Sequence, residues 1–322
     1  MNLRELTESS VFIVAELSSN HNQNFATAIE LVRAAHKVGA NAVKIQIYLP
    51  HLMTTPGYVI ESGLWKGGSL SQLYERSYLP WDWIPKLQIE AEKNGLIFFA
   101  SVFDKESLDA FDLPIYKISS FEINDVPFLE KVAQKNKPVI VSTGTASIEE
   151  ISKAVSLFDD IALLHCVSDY PAFPEQMGLL NIQLLRDMFD VPVGLSDHSF
   201  GPAPFAAVAL GARIIEKHLT LSRDTIDGKF SLLPEQFEEM VSGVRKVERM
   251  LSYENHRYNT VFRRSLHTIA DIKKGQILTE KNVKSLRPNI GLAPTSKVFG
   301  TKAKIDLVAG TPLVKEHING KS

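Results

Sequence analysis

The fold is decided by Val191-Pro192-Val193-Gly194-Leu195-Ser196-Asp197-His198-Ser199, answered further along by Arg213-Ile214-Ile215-Glu216-Lys217-His218-Leu219-Thr220. Each is a short apolar run that turns polar at its C-terminal end. The gap between them has room for one helix, which is the pattern of a parallel βαβ unit. Outward from this pair, further runs of the same kind stand at 11–17, 42–48, 96–103, 115–120, 138–144 and 161–168, so the chain carries eight. The stretches between them have helical periodicity. In 26–38, Ala28, Leu31, Val32 and Ala35 share one stripe and Gly39 follows as a C-terminal stop; 236–251 closes the series. Eight strands and eight crossovers in about 250 residues predict a (β/α)8 TIM barrel, with its catalytic groups at the C-terminal ends of the strands. The competing fold, a doubly wound open sheet, requires a glycine-rich turn after the first strand. This chain has Leu17-Ser18-Ser19-Asn20-His21-Asn22 there.

The 322 residues are 44% hydrophobic and 22% charged, with 18 glycines and 16 prolines, which excludes a disordered or fibrous chain. Lysine and arginine number 35 against 37 acidic residues, a net charge of −2 with no run of like charges. No nucleic acid and no membrane is therefore expected as a partner. Cys166 is the single cysteine; it excludes an intrachain disulfide and a cysteine-based zinc cluster and fits a reducing compartment. Met1-Asn2-Leu3-Arg4-Glu5 and the apolar run after it, broken at Glu16, do not read as a signal peptide. Nowhere do ~18 apolar residues follow one another, as a membrane span requires. A cytoplasmic location is expected.

The pattern changes after Leu251. Residues 252–259 are polar with interspersed aromatics, so the barrel is assigned to 1–251, a linker to 252–261 and a second unit to 262–322. Within the second unit, Asp271-Ile272-Lys273-Lys274-Gly275-Gln276-Ile277-Leu278 recurs 35 residues later as Asp306-Leu307-Val308-Ala309-Gly310-Thr311-Pro312-Leu313, an internal duplication. A unit of this size is expected to lean on the barrel or on another subunit.

The strand ends carry a dense polar set: Glu16, Asn20 and His21; Lys44 and Gln46; Ser101; Lys117, Ser119, Ser120 and Glu122; Ser142 and Thr143; Ser168 and Tyr170; Ser196, Asp197 and His198; Glu216, Lys217 and His218. An apolar strand that ends in lysine places an ammonium in a desolvated mouth. Two of these among hydroxyls suit a small, multiply charged anion such as a phosphorylated carboxylate. The plainer reading pairs Lys44 and Lys117 with carboxylates such as Glu16 or Glu122. His198 and His218 end adjacent strands and can converge on one divalent ion, with manganese, magnesium, iron and zinc all open. Asp197 and Asp227 are candidates to orient these imidazoles, Asp197 equally a helix N-cap. Cys166, between Leu164 and Val167, reads as a buried small residue rather than a nucleophile. Trp65, Trp81 and Trp83 lie in a connection too long for a simple βα turn, where they either line the mouth or pack on the second helix.

Val14-Ala15-Glu16-Leu17-Ser18-Ser19-Asn20-His21, Val43-Lys44-Ile45-Gln46, Tyr116-Lys117-Ile118-Ser119-Ser120-Phe121-Glu122, Ser142-Thr143-Gly144, Gly194-Leu195-Ser196-Asp197-His198-Ser199-Phe200-Gly201 and Ile215-Glu216-Lys217-His218 together resemble the sialic acid synthase family over nearly the whole chain. That family joins a TIM barrel to a small antifreeze-like (SAF) domain of β-clip type. Residues 262–318, with Leu286-Arg287-Pro288-Asn289-Ile290-Gly291-Leu292, are similar to it. Within the family, Gly63-Leu64-Trp65, Leu73-Tyr74-Glu75, Ser119-Ser120-Phe121-Glu122 and Asp197-His198-Ser199-Phe200-Gly201 are most similar to the branch that forms pseudaminic acid. Ser168 stands where neuraminate-forming members have an asparagine that helps hold N-acetylmannosamine. One departure is Ser101-Val102-Phe103, where the family usually has Ser/Thr-Pro-Phe.

The resemblance implies condensation of phosphoenolpyruvate with 2,4-diacetamido-2,4,6-trideoxy-altrose and water, giving pseudaminic acid and phosphate. It implies that Lys44, Ser101, Lys117, Ser120, Ser142 and Ser196 hold phosphoenolpyruvate. His198 and His218 would bind the metal, manganese first, with magnesium or cobalt as alternatives, and act catalytically with Glu16 and Glu122, which handle protons and position the sugar. Ser168, Tyr170 and Asp227 would contact the sugar, joined by Arg287, which in the family reaches into a partner subunit's barrel and so implies a homodimer. The alternatives are synthesis of neuraminic or legionaminic acid from another acetamido sugar, or a non-catalytic carbohydrate-binding or polysaccharide-biosynthesis relative.

Overall fold

The computed structural model describes residues 2–252 and 258–319. The chain divides into two compact units, Met1–Ser252 and Tyr253–Ser322. Part of the linker expected at 252–261 lies outside the described residues.

In the first unit β1 (Phe12–Glu16), β2 (Ala42–Ile47), β3 (Ile97–Val102), β4 (Tyr116–Ile118), β5 (Val139–Ser142), β6 (Ile161–Cys166), β7 (Val193–Asp197) and β8 (Ile214–His218) form a closed parallel barrel in chain order. Nearly every strand residue is buried, as expected where helices cover one face of a sheet and the barrel interior is filled. All eight expected runs are strands, trimmed by a few residues where the polar ends leave the ladder. The helices are α1 (Leu3–Glu8), α2 (Phe25–Lys37), α3 (Pro50–Met53), α4 (Leu70–Ser77), α5 (Ile84–Lys93), α6 (Lys105–Ala110), α7 (Val126–Ala133), α8 (Ile148–Val155), α9 (Asn181–Met188), α10 (Ala203–Ala209) and α11 (Pro234–Leu251). Among the described residues no helix is long and apolar enough to cross a membrane.

Local signals set these elements. Asn24 caps α2 by accepting from the Thr27 amide at 3.1 Å, the stripe Ala28, Leu31, Val32 and Ala35 is buried, and Gly39 stops the helix at φ 82°. At the floor of the barrel Leu3 of α1 packs among Phe12, Val14, Phe99, Ile140, Leu164 and Ile214, and its amide is held by the Asp160 carboxylate at 3.1–3.2 Å. The bottom is thereby plugged, and polar chemistry is confined to the other end. Strand register does the rest: Glu16 lies opposite Lys44 and His218, Ser101 opposite Lys117, Ser196 opposite Glu216, and Asp197 opposite Lys217.

The second unit has its own core of Leu266, Ile272, Leu278, Val283, Val298, Leu307, Leu313 and Ile318. Its strands are β9 (Ser265–Thr268), antiparallel to β10 (Val283–Leu286), and β11 (Lys302–Ala303), antiparallel to β12 (Ile318–Asn319). The duplication closes on itself in a local two-fold. Ile272 and Leu307 exchange both backbone hydrogen bonds, at 2.7 and 2.8 Å. Asp271 accepts from the Ala309 amide at 2.8 Å, and Asp306 from the equivalent Lys274 amide at 2.7 Å.

Candidate active site

At the C-terminal ends of the barrel strands lies a cavity of about 560 Å³. Its floor holds two buried lysines. Lys44, on β2, extends Nζ to Ser101 Oγ at 2.8 Å, to the Glu16 carboxylate on β1 and to Glu216 Oε1 on β8 at 3.6 Å. Lys117, on β4, donates to Ser142 Oγ at 2.6 Å and to the Ile118 carbonyl at 2.9 Å. Burial opposes both charges. At Lys44 the two carboxylates outweigh it and hold the ammonium above its usual range, while Lys117, lacking such close partners, is pulled down by burial. Burial and the nearby Glu216 push Glu16 above the ordinary carboxylate range against Lys44. Burial also acts on Glu216, but Lys44 and Lys117 keep it below that range. Ser196 donates to Glu216 Oε1 at 2.9 Å, directly across the β7–β8 ladder.

The lysines thus divide between the two sequence readings. Lys44 is paired with Glu16. No ion pair joins Lys117 to Glu122 among the described residues; Glu122 instead accepts from the Ser119 hydroxyl, and burial raises its pKa. Lys117 therefore faces the cavity with a hydroxyl and a carbonyl as its direct partners, as an anion site requires. Ser120 and Ser168 are joined Oγ to Oγ at 2.7 Å. Their approach depends on Gly144, where a Cβ would stand 2.5 Å from Cys166 Sγ and 2.7 Å from Ser168 Oγ.

One wall is the histidine pair, with ring centroids 5.5 Å apart. His198 Nδ1 lies 2.7 Å from the Val167 carbonyl, which only accepts, so the proton sits on Nδ1 and Nε2 is bare. Burial lowers His198 to about 4 and His218 well below its ordinary value, so both imidazoles are neutral at pH 7. Among the described residues His218 Nδ1 has no hydrogen-bond partner although it is buried, with Asp227 Oδ2 at 3.7 Å. Tyr170 packs on His198 at 4.4 Å and Phe230 on His218 at 4.9 Å, and the two aromatic rings meet at 5.0 Å.

Lys44, Ser101, Lys117, Ser120, Glu122, Ser142, Ser168, Tyr170, Ser196, His198, His218 and Asp227 all line this one cavity. Glu16 is buried behind Lys44 and does not line it, and Arg287 is exposed on the second unit. Asp197 neither orients a histidine nor caps a helix. It accepts from the Ser199 amide and hydroxyl at 2.9 and 2.6 Å and pairs with Lys217 at 2.8 Å, on the outer side of the strands. Cys166 is buried, as expected, yet borders the cavity. The tryptophans divide: Trp65 lines the cavity beside Tyr170 and Phe230, Trp83 packs on His21 and Phe25, and Trp81 on Phe111. Val102, in place of the usual proline, ends β3 opposite Ile47 with its side chain buried. Phe230, assigned no role from sequence, lies in the loop after β8 with no motif around it; only its contact with both histidines marks it.

Fold and site together define a TIM-barrel protein with an anion floor and a neutral histidine wall. Residues 31–256 match the NeuB family and residues 263–319 the SAF domain, and the chain belongs to the NeuB family. It is 43% identical over 330 residues to the pseudaminic acid synthase of Campylobacter jejuni subsp. jejuni serotype O:23/36, covering 95% of this chain and 96% of that protein. To the Helicobacter pylori pseudaminic acid synthase it is 40% identical, covering 95% and 97%. Among solved structures, the N-acetylneuraminic acid (sialic acid) synthetase of Leptospira borgpetersenii serovar Hardjo-bovis, in complex with citrate, superposes with a TM-score of 0.71 at 32% identity, covering 78% of this chain and 88% of that one.

Proposed function

We propose that this protein condenses phosphoenolpyruvate with the open-chain form of 2,4-diacetamido-2,4,6-trideoxy-altrose, forming pseudaminic acid and phosphate. The observation that carries the reading is the meeting, in one cavity, of Lys117 with its Ser142 partner and a neutral histidine pair. The relatives named pseudaminic acid synthase, at 40–43% identity over 95% of the chain, supply the sugar.

Lys44, Lys117 and the hydroxyls of Ser101, Ser120, Ser142 and Ser196 hold the carboxylate and phosphate of phosphoenolpyruvate, so that C3 faces the histidine wall. C3 forms the new carbon–carbon bond to the aldehyde carbon, whose oxygen becomes a hydroxyl. Water adds at C2, and the C2–O bond to phosphorus breaks to leave the keto group. Of the two protons of that water, one ends on the new hydroxyl and one on phosphate. Glu122 carries a proton between these oxygens, a role supported by the rise that burial gives its pKa and by its presence in the cavity lining. Glu16 acts through Lys44, holding the ammonium in position.

The histidines fit a divalent ion. Both imidazoles are neutral, His198 Nε2 is bare and His218 Nδ1 is an unsatisfied buried nitrogen. Among the described residues no cluster of three or more potential ligands occurs, so two imidazoles with water and substrate oxygens would complete the set. What such an ion, manganese by preference, supplies when bound is stabilisation of charge on an oxygen. Ser168, Tyr170 and Asp227 contact the sugar. The protein acts as a homodimer in which Arg287 of one chain reaches the sugar in the barrel of the other, and it works in the cytoplasm.

The test is phosphate release from phosphoenolpyruvate with a panel of acetamido sugars and metals. Release that depends on the diacetamido trideoxy sugar and stops with chelator is expected. Phosphoenolpyruvate left intact with every sugar overturns the reading.

A further inference from the structure

The connection between β2 and α5 supplies a wall of the cavity through Met53, Ile60, Leu64, Trp65, Leu70 and Leu73. Every one of these six side chains is half-buried, and neither α3 nor α4 contains a buried residue. This segment therefore has little core of its own, and its apolar surface stays partly uncovered beside the cavity. That arrangement costs free energy unless something apolar covers it. Tyr58, Ser62, Tyr74 and Ser77 of the segment also line the cavity, the Ser77 hydroxyl donating to the Leu73 carbonyl at 2.7 Å, and none of the segment's charged side chains does; the cavity's lysines, Lys44 and Lys117, are both on the floor.

We infer that residues 53–77 select the sugar by its far end, taking an uncharged, methyl-bearing tail in preference to a hydroxymethyl one. The inference rests on the proposed condensation and adds to it the element that reads the substrate. The condensation puts the aldehyde carbon beside the histidines and the lysine-bound anion. The opposite end of a six-carbon open chain then points away from the floor. Trp65 fixes the height of the wall, because its ring lies 5.9 Å from Tyr170 and 6.2 Å from Phe230, the rings that pack on the histidines. On the proposed condensation, the apolar side chains of the segment lie along the part of the sugar beyond these rings. A 6-methyl group gains by covering them, whereas a 6-hydroxyl set against Ile60, Leu64, Leu70 or Leu73 gives up water to side chains that offer no hydrogen bond.

The test compares kcat/KM for the 6-deoxy diacetamido sugar with that for its 6-hydroxy counterpart. An apolar pocket discriminates by roughly 10–100-fold at such a group, and the 6-deoxy sugar is expected to be preferred by that factor. Leu64→Asn and Ile60→Thr change half-buried side chains outside the barrel core. Each is expected to shrink the preference about ten-fold, chiefly through the KM for the 6-deoxy sugar, with the KM for phosphoenolpyruvate unmoved. A wild-type protein that turns over both sugars equally, or a preference unmoved by either substitution, overturns the selector while leaving the condensation standing. Phosphate release with none of the sugars overturns the condensation and the selector with it.

Discussion

Lys117 illustrates what a single residue's surroundings decide. Its ammonium is desolvated, held by one hydroxyl and one carbonyl, and pulled below its ordinary pKa by burial. An incoming trianion supplies the compensation that burial removed. Lys117→Met is expected to cost roughly 2–5 kcal/mol in kcat/KM for phosphoenolpyruvate while the KM for the sugar changes little; steady-state kinetics with each substrate varied in turn measures this. His21 permits a test of acid stability away from the cavity. Its Nδ1 accepts from the Gln23 amide at 3.0 Å, Nε2 has no hydrogen-bond partner among the described residues, and burial lowers the imidazole from 6.5 to about 4. The unfolded chain therefore binds more protons between these values. The contribution of a neutral His21 is whole above pH 6.5 and is lost as pH falls toward 4, up to about 3 kcal/mol. His21→Asn, which keeps an acceptor for the Gln23 amide, is expected to flatten that part of the unfolding midpoint against pH. An equal acid slope in both proteins would contradict it.

At the scale of elements, the C-terminal end of each strand carries the chemistry and the helix-facing side carries the support. Asp197 and Lys217 lie opposite each other on β7 and β8, one residue before His198 and His218 in turn, and each is 1% exposed. Lys217 also donates to the Ser199 carbonyl. This pair ties together the two strands that carry the histidines. Lys217→Met leaves a buried carboxylate unpaired and is expected to destabilise the barrel by about 3–5 kcal/mol, whereas Asp197→Leu with Lys217→Met is expected to lose less than the two single changes together. Urea unfolding of the four proteins measures the coupling. The connection after β2 was legible in the sequence as too long for a turn. Which of its tryptophans faces the cavity was not, because the segment has no periodicity that assigns an inner side.

For the whole molecule, the barrel and the second unit each have a core. On the proposed reading of a shared site, a chain ending near Leu251 folds as a barrel but turns over poorly. Mixing Arg287→Ala subunits with Lys117→Met subunits is expected to regenerate part of the activity, because one of the two sites in a mixed dimer receives both intact residues. Normal kinetics from the shortened chain, or no recovery despite demonstrated subunit exchange, would exclude the shared site.

The eight strands, the polar residues at their ends, both lysines, both histidines and the duplicated segment of the second unit follow from local patterns: an apolar run, its length and the residue that terminates it. Those are properties of a few consecutive residues, so the sequence alone determines them. Tertiary structure decided which end residues meet. Closure sets β8 against β1 and β1 against β2, and this brings Glu216 as well as Glu16 to Lys44, while among the described residues no carboxylate forms an ion pair with Lys117. It also turned Asp197 away from the histidines toward Lys217, brought Phe230 and Trp65 onto the histidine wall, and set Glu16 behind the lysine rather than in the cavity. These outcomes depend on contacts between residues far apart in the chain, whose side and distance are set only when the barrel closes.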